Sequence, residues 1–197
     1  AVSSFVRYFI LDPVVTNEVT IEQGLEMFKF EYKPWNIAMY LHIITAGVAL
    51  VVGPFQFIKK FQARFIKLHR VIGKIYVFSI FISAAVGIYL AAYAFGGLIG
   101  KLGFLLLAIA WLYTTYMGFR AIKNRQIQLH KEWMMRSFAV TFAAVTFRIW
   151  TAVIGYSLDH FAIGYVSAIW LRWTINLMCV ELLIRKKSAR STQTTAV

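Results

Sequence analysis

Four histidines are the residues of this 197-residue chain best suited to bind a cofactor. Each lies near an end of a different long apolar segment, with His42 and His160 toward one end and His69 and His130 toward the other. Two neutral imidazoles on facing helices can ligate a haem iron from both sides. The histidines therefore predict one or two haem b sites. Taken singly, each histidine is better explained as a local hydrogen-bonding residue, and zinc is disfavoured because Cys, Asp and Glu do not cluster with them.

Two arginines lie inside apolar segments, Arg148 at ~12 Å and Arg172 at ~16 Å from the nearer end by helical rise. A charge at such depth costs a few kcal/mol, so we expect both side chains to face the bundle interior. The acids nearby, Asp159 and Glu181, are few. A haem propionate or a quinone carbonyl is the predicted partner, with backbone carbonyls and hydroxyls as the alternative. Arg136 is expected to contribute to the site formed by His69 and His130, or instead to reach the lipid phosphates at the membrane surface.

Composition places these residues in a membrane protein. The chain is 60% apolar and 17% aromatic, which excludes a disordered polypeptide, and its single Cys179 excludes a disulfide scaffold. The net charge of +13 would fit a nucleic-acid partner, but the charges stand between long apolar runs, so the bilayer is the predicted partner instead. Five runs reach the ~20 residues that a spanning helix needs; they are residues 36–58, 71–94, 98–119, 133–156 and 161–184.

The connections between these runs are short, which favours antiparallel neighbours. The sequence predicts an all-α integral membrane protein, an up-and-down bundle of five transmembrane helices at 36–187. Residues 1–35 are predicted to form an external segment with a short interfacial helix, and residues 188–197 a disordered cytoplasmic tail. The apolar stretch 4–11 is compatible with the end of a sixth, N-terminal span that precedes this chain.

The distribution of Lys and Arg among the loops predicts the orientation of the bundle in the membrane. Three segments are strongly basic, and the remaining loops between spans hold at most one Lys or Arg. By the positive-inside rule the basic segments are cytoplasmic and the N-terminal segment is external. The basic residues concerned are Lys59, Lys60, Arg64, Lys67, Arg70 and Lys74, then Arg120, Lys123, Arg125, Lys131 and Arg136, then Arg185, Lys186, Lys187 and Arg190.

Two sequence motifs in the chain resemble those of a known protein family. His69 opens an HRxxGxxY motif that ends at Tyr76, and His130 opens an HxxWMxRS motif that ends at Ser137. With the string GPFQF at 53–57, they resemble a bacterial family of small multi-span membrane proteins of unknown function. The resemblance covers nearly the whole bundle and implies the inner membrane. It also implies an extra N-terminal span, but it supplies no activity.

A looser similarity, in architecture alone, is to cytochrome b561-type proteins. It implies four helices, two bis-histidine haems and electron transport. The third span departs from this arrangement because it has no histidine, and His160 stands at a loop edge. The pair His69 and His130 is therefore the firmer of the two predicted sites.

We thus expect a haem b electron-transfer protein linked to quinone or a redox partner; if it is an enzyme, it is an oxidoreductase-type membrane cytochrome. The alternative is a non-enzymatic accessory subunit of a larger membrane complex, favoured by the small size and the acidic segment 18–31. A solute or proton pathway along the intramembrane arginines ranks last, because no pair of broken helices marks one.

Overall fold

The structure is a computed structural model that describes residues 33–194, and all regular structure in that part is helical. The interfacial helix and the stretch 4–11 lie outside the described residues. Six helices follow one another, with a 3₁₀ turn Pro54–Phe57 after the first. They are α1 Lys33–Val52, α2 Lys59–Arg64, α3 Ile66–Ala91, α4 Gly97–Lys123, α5 Ile127–Ser157 and α6 Phe161–Thr194.

Five of these helices are long and apolar enough to cross a membrane, which confirms the all-α transmembrane bundle. Helices α3 and α5 begin at Ile66 and Ile127, earlier than the predicted spans, so His69 and His130 lie in their first turns. Near a bilayer the helix is the favoured form, because it satisfies backbone groups internally.

Helix α6 also runs further than predicted, to Thr194, so residues 188–194 continue the helix where the sequence predicted a disordered tail. This stretch follows a helix that is already nucleated, and it contains Ala189 and Arg190, which are good helix formers.

Successive spans pack antiparallel. Each of α3, α4 and α5 packs against the next helix in the chain, and α1 packs on α3 and also touches α5. One end of the bundle carries the α1–α3 connection, the α4–α5 turn and the end of α6, and we call it the basic end after its Lys and Arg residues. The other end carries the α3–α4 and α5–α6 turns, and we call it the opposite end.

The centre of the bundle is a buried hydrogen-bond network. The Tyr76 hydroxyl on α3 lies 3.0 Å from the hydroxyls of both Ser137 and Thr141 on α5. From α4, Trp111 Nε1 donates to Thr141 at 2.9 Å, and the Thr115 hydroxyl lies 2.8 Å from Ser137. Apolar surroundings favour such internal pairing because no water competes for it. The network joins three helices and connects the last residues of the two sequence motifs.

Helices α5 and α6 approach most closely at the opposite end. A Cβ on Gly164 would lie 2.5 Å from the backbone nitrogen of Gly155 and 3.0 Å from the carbonyl oxygen of Thr151. Small residues permit this backbone contact, as in many membrane helix pairs.

We predict that Gly164→Ala lowers the free energy of unfolding by about 1–3 kcal/mol, because backbone cannot move aside for a methyl group. Thermal unfolding in detergent measures the change. Gly47→Ala is the matched control, since no atom lies within 4 Å of its Cβ position. Equal melting temperatures for the two variants would contradict the close approach.

A second prediction concerns the central network. Tyr76→Phe removes two interhelical hydrogen bonds, and intramembrane bonds contribute about 0.6 kcal/mol each, so we expect a loss of about 1 kcal/mol. Tyr113→Phe, at an exposed tyrosine of α4, serves as the control. A loss of the same size in both variants would show that the Tyr76 hydroxyl contributes nothing specific.

Candidate functional site

The His130 imidazole is held in a defined orientation by the backbone of α4. Its Nδ1 lies 2.7 Å from the carbonyl oxygen of Gly118. A carbonyl oxygen only accepts, so Nδ1 carries the proton and Nε2 keeps its lone pair free. Metal-binding histidines commonly donate their other ring N–H in this way. The ring of His130 is therefore prepared to bind a metal through Nε2.

Gly118 makes this hydrogen bond possible through its size. It is buried, and a Cβ there would lie 2.6 Å from the Met134 sulfur and 3.5 Å from Cβ of Trp133. The bare backbone lets α4 approach the first turns of α5 closely.

His69 lies in the first turn of α3, half-buried, at the same end of the bundle. Its Nδ1 is buried and has no hydrogen-bond partner among residues 33–194. The predicted pair His69 and His130 thus lies at the basic end, one residue on α3 and the other on α5, and a nitrogen of His69 is unsatisfied within the described bundle.

Gln56 adds a second unsatisfied group at this end. It belongs to the 3₁₀ turn after α1, and its Oε1 would lie 3.1 Å from a Cβ on Gly73, one turn along α3 from His69. Its Nε2 is buried without a partner, while its backbone carbonyl accepts from the side chain of Gln62. Gln56 belongs to the GPFQF string, but no pattern in the sequence indicates a role for its side chain.

The structure does not bring His42 and His160 together. The Nδ1 of His42 lies 2.9 Å from the carbonyl oxygen of Ser83 on α3, and its ring meets Trp111 edge-on at 6.5 Å. His160 is exposed in the α5–α6 turn, and α1 shares no extended interface with α6. His42 therefore faces α3, where Ser83 satisfies it, and not His160.

The three candidate arginines have different surroundings. Arg136 binds the Glu181 carboxylate through Nε at 2.9 Å and Nη2 at 3.2 Å, and its guanidinium lies 4.7 Å from the Trp133 ring centroid. It thus pairs with an acid of α6 and not with a histidine. The pair borders a groove of about 400 Å³ between α4, α5 and α6.

Arg148, expected in the interior, is exposed on the side of α5, where Nη1 donates to the carbonyl oxygen of Ala144 at 3.2 Å. Arg172 does lie in the interior, with 5% of its surface exposed. Its guanidinium carbon is 4.5 Å from the ring centroid of Phe104 and 4.4 Å from that of Phe147. Its Nε and Nη2 are buried and have no hydrogen-bond partner within the part of the chain that the structure describes.

Within residues 33–194, no group of three or more His, Cys, Asp or Glu side chains could hold a metal ion. A metal held by protein side chains alone is thus not supported there. A haem would need only two protein side chains, because the porphyrin itself would supply the remaining iron ligands.

A comparison with known protein families finds a match. The family described as "Predicted membrane protein (DUF2306)" matches residues 39–184, which contain all or most of each of the five candidate spans in the described residues. No curated protein and no solved structure matches the chain.

Proposed function

We propose that this chain, which belongs to the DUF2306 family of predicted membrane proteins, binds haem b and transfers electrons in the bilayer. The observation that carries the proposal is the hydrogen bond from His130 Nδ1 to the Gly118 carbonyl, at 2.7 Å. It leaves the lone pair of Nε2 available to bind a metal, at the basic end of the bundle where His69 also lies.

His69 and His130 are the residues that would hold the haem, one imidazole from α3 and one from α5. The unsatisfied Nδ1 of His69 fits this role, because a buried ring nitrogen without a partner is costly. A bound haem would supply one-electron chemistry. The pair His42 and His160 does not fit, so the proposal is for one haem and not two.

The protein's own groups do the positioning. The Gly118 carbonyl keeps the His130 proton on Nδ1 and raises the basicity of Nε2. The buried network around Tyr76 fixes α3, α4 and α5 relative to one another two turns from the histidines. Gln56 offers an amide donor beside the first turns of α3.

The proposal includes a location. The basic end, by the positive-inside rule, is placed at the cytoplasmic face of the bacterial inner membrane, with the N-terminal segment outside. The haem site would then lie near the cytoplasmic face. A quinone or an external donor would exchange electrons from the other side of the bundle, and a redox partner would meet the basic end.

We predict that the purified full chain shows a haem b α-band in reduced-minus-oxidised spectra, with about one haem per chain in a pyridine extract, as one histidine pair allows. His69→Ala and His130→Ala should each abolish the band. His160→Ala is the control and should keep it, because that side chain is exposed in a turn.

Two results would contradict the proposal. One is the absence of haem from wild-type protein produced with ample haem supply. The other is an unchanged band in the His130→Ala variant. Haem-free protein that co-purifies in a larger membrane assembly would instead support the accessory-subunit alternative.

A further inference from the structure

Arg172 presents an unoccupied hydrogen-bonding edge inside the membrane. Its two unpartnered atoms, Nε and Nη2, form the same side of the guanidinium that Arg136 uses to bind the Glu181 carboxylate. That edge offers two parallel N–H donors to a ligand with acceptor oxygens. Arg136 thus has its acceptor, and Arg172 has the same donor geometry without an acceptor among the described residues.

The described part of the chain supplies no acid for Arg172. Its three acids are Glu132, Asp159 and Glu181. Glu181 is paired with Arg136, Glu132 bonds to Gln128 near the basic end, and Asp159 is exposed in the α5–α6 turn. A buried charge without a partner costs several kcal/mol in such surroundings, which favours a ligand that satisfies it.

Other unsatisfied donors lie on the same helix. Trp170 Nε1 and Trp173 Nε1 are both buried without a partner, and their rings lie 6.3 Å apart. The Trp170 Nε1 atom faces α4, since it would lie 3.2 Å from a Cβ on Gly103. Trp N–H groups donate only, so Trp170, Arg172 and Trp173 together offer several donors and no acceptor of their own.

The surroundings of Arg172 are aromatic. Phe104, Phe147 and Tyr165 contact one another with ring centroids 5.2–6.4 Å apart, and the guanidinium lies over the two phenylalanines. Tyr165 continues the cluster to Phe95 and Phe161 at the opposite end of the bundle. An aromatic surface therefore leads from that end to the arginine.

The depth of Arg172 in the membrane restricts which kinds of ligand can reach it. Arg172 lies ~16 Å along α6 from its first residue, near the middle of a hydrocarbon core about 30 Å thick. A lipid phosphate stays at the headgroup level. A neutral planar ring with carbonyl oxygens can reach this depth without carrying a charge, and it can stack on aromatic side chains.

We propose that Arg172 binds the head group of an isoprenoid quinone, with its Nε–Nη2 edge donating to a quinone carbonyl and the rings of Phe104, Phe147 and Tyr165 contacting the quinone ring. This site goes beyond the histidine pair. Arg172 lies roughly 22 Å from His130 by helical rise. That distance is nine residues along α6 from Arg172 to Glu181, and six residues along α5 from Arg136, the partner of Glu181, to His130. Quinone binding can therefore be measured without haem.

The test uses the full chain in detergent and a benzoquinone with a ten-carbon tail. Binding is followed by quenching of tryptophan fluorescence and by the rise in melting temperature that a ligand of the folded state produces. We expect Arg172→Gln to weaken binding roughly 10- to 100-fold, the loss typical of a hydrogen bond to a charged group. Arg148→Gln is the matched control, an intramembrane arginine whose side chain is exposed, and it should bind as the wild type does.

Two further variants keep the test decisive. Arg172→Met should melt at a higher temperature than wild type without quinone, because a buried uncompensated charge is removed, and should show no quinone-induced rise. A purely structural arginine would instead lower the melting temperature. Trp170→Phe keeps the charge and removes one neighbouring donor, so it should weaken binding roughly 2- to 10-fold relative to wild type. It gives the answer if the arginine variants fail to fold.

Three outcomes would overturn the proposal. The first is equal affinity of the wild type and Arg172→Gln for the quinone. The second is no binding of the quinone by the wild type. The third is a melting temperature that rises with oleate but not with the quinone. His130→Ala protein that lacks haem but still binds the quinone would support this site while the haem assignment is judged separately.

Discussion

The absence of water from the hydrocarbon core is the constraint on which the rest of this structure depends. A polar group inside the bilayer must find its partner within the protein or in a ligand. In the described bundle Tyr76, Ser137 and Thr141 satisfy one another across helices, and Arg136 finds Glu181. The exceptions are then informative, because groups such as Arg172 and the His69 Nδ1 are left unsatisfied in surroundings where that is costly.

The two proposed sites meet this constraint in different ways. At the basic end a backbone carbonyl, that of Gly118, sets the state of an imidazole, and this requires only that two helices approach closely. At Arg172 the described residues provide donors and aromatic faces but no acceptor. The first arrangement would suit a metal, which needs a lone pair, and the second would suit a ligand oxygen, which needs donors. The two proposals thus call for two ligands of opposite chemistry.

The spans were predictable from sequence because membrane thickness sets their length, and short connections made antiparallel packing the simple choice. Helix rotation was not predictable. The spans are apolar on most sides, so nothing in the sequence separates Arg148, which is exposed, from Arg172, which is buried. The same uncertainty applied to His42, which turns toward Ser83 and not toward His160. The Gly118 carbonyl could not be found either, since a backbone acceptor leaves no mark in the sequence.

Helices α5 and α6 are joined near both ends, by the Gly155–Gly164 contact at one and by the Arg136–Glu181 pair toward the other. Arg172 lies on α6 between these two contacts. His130 lies on α5 beyond the ion pair, toward the basic end. The distance between Arg172 and His130 is therefore set by α5 and α6 alone, because these two helices are held together on both sides of Arg172. Movements or substitutions in α1 and α3 could reshape one wall of the histidine site and leave that spacing, the span that an electron would have to cross, unchanged.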